Sequence, residues 1–390
     1  MRTYEKTHPW ITFRVDLTRA RHETWLALGE IASKCEHLSR VPLRPKTADR
    51  LHRVYLAKGA QATTAIEGNS LSEAEVLDAV DGKLEVPPSK EYLKQEVENI
   101  IEACNSIRRQ VADDALPAVS PELIAAYNKQ VLKNLPLSEE VVPGAFRKHS
   151  VVIGRVYRGA SPEDCPYLLG RLCDWLAEID REAPKGREIV YAVIKAVLTH
   201  LYIAWIHPFG DGNGRTARLL EFHILMSAGI PTPAAHLLSN HYNQTRAEYY
   251  RQLDIASKSG GEVLPFVHYA VEGYVDQLRT QLDDVWSQQR EVAWENHVHD
   301  TFGDGPRNQR QHHLAIDLGN QPDWVQIASI PDLTPRLAKA YAGRTSKTVQ
   351  RDLNILVKLQ LVDRVGRRVR ARKEAIYSFL PVRKKLEKKD

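Results

Sequence analysis

His207-Pro208-Phe209-Gly210-Asp211-Gly212-Asn213-Gly214-Arg215-Thr216-Ala217-Arg218 places a base, a carboxylate, a glycine-framed turn and two arginines in one short run. A hydroxyl nucleophile must lose its proton near neutral pH, and histidine's ordinary pKa suits that task, so His207 is the candidate base. Asp211 is a carboxylate suited to holding Mg²⁺, while Arg215 and Arg218 supply fixed positive charge where phosphates gather negative charge. Gly212 and Gly214 carry no Cβ, so their backbone N–H groups can approach an anion and form a nest. These are the parts for attack at a nucleotide phosphate. The plainer reading is a glycine turn with solvated arginines.

Working outward, Val190, Val193, Ile194, Val197 and Leu201 recur at helical spacing, so 187–206 reads as one helix and 216–228 as a second. A phosphate held in the turn between them would meet the N-terminus of the second helix, where unpaired N–H groups and the macrodipole favour negative charge.

The string resembles the signature of the Fic family, HPFx(D/E)GNGRxxR, with every specified position filled. That resemblance implies Mg²⁺-dependent transfer of the AMP part of ATP to a Ser, Thr or Tyr hydroxyl of a target protein, or of the chain itself, with pyrophosphate leaving. It implies His207 as base, Asp211 as the Mg²⁺ ligand, and Asn213 with the neighbouring backbone of Gly212 and Gly214 as a phosphate cradle. Arg215 and Arg218 then serve as β- and γ-phosphate partners, with Phe209 as a core anchor.

Upstream, Thr63-Thr64-Ala65-Ile66-Glu67-Gly68 resembles the family's inhibitory helix, [S/T]xxxE[G/N]. Val54, Leu56, Ala60, Thr63 and Thr64 suggest a helix over about 53–68, and Gly68 is the residue expected just past its end. Glu67 then sits at a helix C-terminus, where a carboxylate is disfavoured unless a cation compensates it. By resemblance that cation is Arg218, and the pairing displaces the γ-phosphate. The alternative is a solvated glutamate before a turn. Ser72 followed by Glu75 reads as a capping box opening the next helix.

Residues 142–154 are rich in turn formers and then β-branched residues, and read as a β-hairpin. The resemblance makes it a flap that docks the target by strand addition, with Arg147, Val151, Val152 and Ile153 as the docking edge. A hairpin that only caps the helical core is the other reading. Further on, Arg246 to Leu253 resembles the segment closing the adenine pocket, with Tyr250 lining the base and Tyr249 equally suited to core packing. Ser257 stands where relatives often carry Asn, a departure that bears on the adenine preference.

At 390 residues and 43% hydrophobic content the chain is long enough for two or more domains with real cores. Its N-terminus is polar with no apolar segment behind it, and Cys35, Cys104, Cys165 and Cys173 are scattered with no CxxC pair. The expectation is a soluble, cytoplasmic protein with no membrane partner. His297, His299, His312 and His313 lack the spacing of a metal site. Residues 302–311 read as a polar linker.

Residues 333–390 hold 17 Lys/Arg against 5 Asp/Glu, a local +12, so the other 332 residues carry −7 of the chain's net +5. Leu337 to Gly343 reads as a helix ended by glycine, Thr345 or Ser346 caps a second helix burying Val349, Leu353 and Leu356, and 361–370 reads as a hairpin. The whole resembles a winged helix-turn-helix. Lys347, Thr348, Gln350, Arg351 and Asn354 would then face a DNA groove, with Arg367, Arg368 and Arg370 reaching phosphates. A protein-contact or dimerisation surface is the alternative. Arg383-Lys384-Lys385 and Lys388-Lys389 read as a solvated tail.

The expected fold is mainly α: an N-terminal region over 1–105 with the inhibitory helix, a catalytic core over 106–290, a helix end and linker over 291–320, and a winged-helix domain over 321–390. The leading function is autoinhibited adenylylation with ATP and Mg²⁺. The alternatives are removal of AMP, transfer of another nucleotide or of phosphocholine, and a DNA-binding regulator with a nucleotide-sensing core. The resemblance also brings a homodimer into consideration.

Overall fold

The computed structural model describes residues 2–153, 157–303 and 308–377; Gly154, residues 304–307 of the expected linker and the basic tail lie outside the described residues. The chain divides into two units, Met1–Leu282 and Asp283–Asp390. The expected 1–105 and 106–290 regions thus form one unit, and its boundary falls at 282/283 rather than 290. That boundary lies inside a continuous helix, so no turn residue marks it.

The first unit is helical: α1 (His22–Arg40), α2 (Pro45–Ala65), α3 (Glu73–Val80), α4 (Glu91–Ala112), α5 (Pro121–Val131), α6 (Cys165–Glu182), α7 (Glu188–Ile206), α8 (Asn213–Ser227), α9 (Leu237–Gln244), α10 (Arg246–Lys258) and the first part of α11 (Leu264–Phe302). Among the described residues α7 alone is long and apolar enough to cross a membrane by length and composition, but 78% of its apolar window is buried inside the unit. A helix apolar all round is the centre of a core. Val193, Val197, Leu201 and Ile206 on α7 are fully buried, and α8 packs against it with Leu220 and Ile224. α2 starts at Pro45, well before the expected 53, because Pro at its first position pre-sets the helical φ. The Ser72–Glu75 capping box opens α3 as expected. The N-terminal stretch is strapped to this core, with the Tyr4 N–H donating to Asp164 and the Phe13 N–H to the Tyr202 hydroxyl. All four cysteines are free.

The expected hairpin forms later and shorter than 142–154. Its strands are β1 (Val152–Ile153) and β2 (Tyr157–Arg158), antiparallel, while 142–150 is an irregular lead-in.

The second unit has its own core of Trp294 and Val298 from α11, then α12 (Gln309–Gly319), β3 (Val325–Gln326), α13 (Pro335–Tyr341), α14 (Ser346–Lys358), β4 (Val362–Val365) and β5 (Arg368–Ala371). The strands form one antiparallel sheet ordered β3-β5-β4, and α14 packs against β4. α12 begins at Gln309, so the end of the expected linker is helical. Asp352 anchors α14: its buried carboxylate accepts from Arg310, from Gln311 at 2.7 Å and from the Tyr341 hydroxyl at 3.0 Å.

Candidate active site

α7 stops at Ile206 because His207 turns left-handed, at φ 49° and ψ 60°, while its N–H still donates to the Ile203 carbonyl at 2.8 Å. This conformation costs a non-glycine residue about 1–2 kcal/mol, so neighbouring contacts must hold it. Pro208 accepts from the Arg147 N–H at 3.0 Å, and Phe209 stacks on Phe146 with ring centroids 5.9 Å apart. The Asn213 side chain closes the loop from inside: its Oδ1 accepts from the Phe209 N–H and its Nδ2 donates to the Phe209 carbonyl, both at 2.9 Å. The Asn213 side chain thus braces the turn, while its main chain, with that of Gly212 and Gly214, lies at the start of α8 where the cradle was expected. α8 begins at Asn213 rather than 216, with Gly212 as N-cap at φ 76°. Asn213, Gly214 and Arg215 form its first turn, where N–H groups lack intrahelical acceptors.

Two buried arginines face that end. Arg218, with 1% of its side chain exposed, donates through Nη2 to Glu67 Oε1 at 2.5 Å and to the Thr63 carbonyl at 2.9 Å. Arg215 pairs through Nη1 with Glu96 Oε1 at 2.5 Å and through Nη2 with Asp211 Oδ1 at 3.0 Å. Among the described residues, Arg218 Nε and Nη1 and Arg215 Nε have no acceptor. Buried orphan donors on a cation fit an anionic ligand with several oxygens.

Glu67 is delivered by the end of α2. The Gly68 N–H donates to the Ala65 carbonyl and the Asn69 N–H to the Thr64 carbonyl, with Gly68 at φ 104°. This is a Schellman ending with Glu67 at the C-cap. Burial pushes the Glu67 carboxyl up, but Arg218 outweighs it, with help from Arg215 and His207, and holds it below its ordinary value. Gly214 lies beneath the pair: a Cβ there would fall on Glu67 Oε1 and within 3.2 Å of both terminal nitrogens of Arg218. Burial first, and then the Arg147 cation, lower His207 to about 4, against the Ala204 carbonyl and the charges of Glu67 and Asp211. The ring is neutral at pH 7, as a general base requires.

Glu96 and Asn69 line the candidate site, and sequence reasoning missed both. Glu96 carries a carboxyl raised by burial against the pull of Arg215, and accepts from Asn69 Nδ2 at 2.8 Å. The turn after Glu67 is thus tied to the partner of Arg215. A legible signal was available, since Glu96 falls in the buried stripe of Leu93, Val97, Ile100 and Ile107. Glu67, Asn69, Tyr92, Glu96, Asp211 and Arg215 line a cavity of about 250 Å³. A hollow of about 300 Å³ near Arg19 and Glu262 includes none of these site residues.

Arg147 is not a docking edge. It is 3% exposed and hydrogen-bonds only inward to main-chain carbonyls. Val152 is exposed at the hairpin edge, with Val151 and Ile153 half-buried. Tyr250, 44% exposed, lies against the end of α2 and donates to the Ile66 carbonyl at 3.3 Å. Tyr249 is core: its hydroxyl meets His200 Nε2 at 2.7 Å in a fully buried group in which Tyr242 donates to Glu221 at 2.9 Å. The Ser257 hydroxyl donates to Asp254 of its own helix. Among the described residues no three or more His, Cys, Asp or Glu gather as a metal cluster, so Asp211 contributes a single carboxylate.

Residues 118–225 match the Fic/DOC family. The matched stretch runs from before α5 to the last turn of α8 and contains the whole of His207 to Arg218. The protein adenylyltransferase fic-1 of Caenorhabditis elegans is 28% identical over 230 residues, covering 57% of this chain and 42% of that protein. The protein adenylyltransferase Fic of Nematostella vectensis is 27% identical over 242 residues, covering 62% and 52%. The chain thus spans about half the length of these relatives. In fold, it is similar to a Fic family protein from Desulfovibrio desulfuricans G20, with a TM-score of 0.53, 20% identity and coverage of 88% of this chain and 95% of that one. It is similar also to residues 134–508 of C. elegans Fic-1, with a TM-score of 0.53, 23% identity and coverage of 68% and 73%.

Proposed function

We propose that this Fic domain transfers the AMP part of ATP to a Ser, Thr or Tyr hydroxyl of a target protein or of the chain itself, and that Glu67 holds it in check. The observation that carries this reading is a neutral His207 one loop away from orphaned donors on Arg215 and Arg218 at the N-terminus of α8. In the step itself, the target oxygen bonds to the α-phosphorus as the bond to the bridging oxygen of pyrophosphate breaks, and the hydroxyl proton passes to His207. The arginines and the first-turn N–H groups of α8 hold the leaving phosphates in line. Asp211, half exposed beside Arg215, suits Mg²⁺, which takes one or two carboxylates plus phosphate oxygens. When bound, that ion supplies positive charge to the departing pyrophosphate.

Glu67 inhibits by position. Its carboxylate lies over Gly214 and occupies Arg218 Nη2, where a γ-phosphate would compete for the same guanidinium. Incubation with Mg²⁺ and ATP labelled on the α-phosphate, followed by intact mass measurement, tests the reaction class. Addition of one or more AMP groups is expected, and hydrolysis or phosphate addition alone would contradict it.

For the second unit we propose duplex DNA as partner. Lys347, Arg351, Asn354 and Lys358 form one exposed stripe along α14, and Arg367 and Arg368 are exposed on the adjoining hairpin. Gln350 is half-buried beside that stripe. Arg370 drops out of the expected phosphate contacts, because it pairs with Asp363 at 3.0 Å and Glu374 at 2.9 Å.

A further inference from the structure

We propose that Arg147 is the positioning residue for His207, fixing the main chain around the base so that the ring faces the phosphate site. This rests on the reading of His207 as general base. The Arg147 guanidinium donates from Nε to the His207 carbonyl at 2.7 Å, from Nη1 to the His149 carbonyl at 2.7 Å, and from Nη2 to the Ala160 carbonyl and, at 3.4 Å, to the Ile206 carbonyl. Its own N–H donates to the Pro208 carbonyl at 3.0 Å. One residue therefore serves three consecutive carbonyls, 206, 207 and 208, and ties them to His149 and Ala160, which flank the hairpin on either side.

The physical need is specific. The last carbonyls of a helix have no intrahelical donor and carry the negative end of the dipole, so a buried cation there satisfies acceptors and charge together. A guanidinium offers five N–H groups in a rigid fork, which an ammonium cannot reproduce. His207 sits left-handed at φ 49°, and the fork's bonds oppose a return to helical φ from the carbonyl side while Asn213 and the Phe146–Phe209 stack hold the loop beyond it. Gly159 completes the node: a Cβ there would stand 3.0 Å from the His207 Cβ and 3.1 Å from Arg147 Nη2. The positive charge beside the ring also favours its neutral, proton-accepting form.

Arg147→Lys and Arg147→Met in the Glu67→Gly background test the proposal. Each is expected to lower kcat for AMP transfer by about 10²-fold, the scale of an ångström-level misplacement, while ATP affinity, set by Arg215 and Arg218, changes little. Lysine does not rescue. Gly159→Ala presses on the same node without touching a charge, and gives the same split if the Arg147 variants fold poorly. Full kcat in Arg147→Lys, or kcat and affinity falling together in all three variants, overturns the proposal. Amide hydrogen exchange at His207 and Phe209 reads the same positioning without activity. It rises in the variants, and unchanged exchange overturns the proposal. Absence of AMP transfer by the Glu67→Gly parent contradicts the proposed function instead.

Discussion

Glu67 Oε1 and Arg218 Nη2, 151 positions apart in the chain, stand 2.5 Å from each other above the Cα of Gly214. A pair so placed blocks the nucleotide only if it takes both a donor and the space where a phosphate would rest. The two partners then differ in what their removal does. Glu67→Gly frees a guanidinium that remains in place, so transfer rises. Arg218→Ala breaks the same pair but removes the phosphate partner, and is expected to cost about 10²–10³ in kcat even with Glu67→Gly. Rates of AMP incorporation in the two single variants and the double check this asymmetry, and equal behaviour of the single variants would contradict it.

Gly214→Ala separates space from charge. The added methyl clashes with Glu67 Oε1 and crowds both terminal nitrogens of Arg218. It expels the carboxylate but fills the same volume, so it is expected to leave transfer low both alone and with Glu67→Gly. Activation by Gly214→Ala would show that the space above the glycine is not where the phosphate sits.

How much of this was readable depended on where the information lies. The stretch from His207 to Arg218 is contiguous, and its base, carboxylate, glycines and arginines occupy one loop in space because they do so in sequence. Glu67 was legible only through the resemblance, since nothing local distinguishes it from a solvated glutamate. Glu96 is one of three glutamates in Glu91 to Glu98, and only packing of Leu93 and Val97 tells which one turns inward. Arg147 misled because a cation in a hairpin segment reads as surface, whereas its guanidinium makes four bonds to carbonyls that only the folded loop brings within reach. Asp352 resembles Glu96 in this: both are carboxylates lying on an apolar stripe, buried because a distant side chain meets them.

Acid should unfold the first unit early. Burial holds His207 and His223 at about 4 and His236 at about 3. Unfolded, each binds its proton near about 6.5. Between pH ~6.5 and ~4 the unfolded chain therefore binds more protons, and stability is lost as pH falls through that window. Urea unfolding at pH 7.5, 6 and 5 measures this, and a stability unchanged from pH 7.5 to 5 would contradict the burial of neutral rings. For the same reason the acid limb of kcat is expected below the ordinary histidine value.

Binding of duplex DNA should weaken steeply with salt as phosphates release counterions. Lys347→Ala or Arg351→Ala should each flatten the slope of log affinity against log salt by about one if the side chain neutralises a phosphate. Failure to bind DNA at low salt would turn the stripe on α14 toward a protein partner.

The most direct measurement is the intact mass of the wild-type chain, the Glu67→Gly variant and the Glu67→Gly/His207→Ala double variant after incubation with Mg²⁺ and ATP. The account predicts little added mass in the wild type, AMP additions in Glu67→Gly, and none in the double variant although it still binds ATP. AMP additions that persist without His207, or a Glu67→Gly protein that folds and binds ATP yet gains no more mass than the wild type, would contradict it.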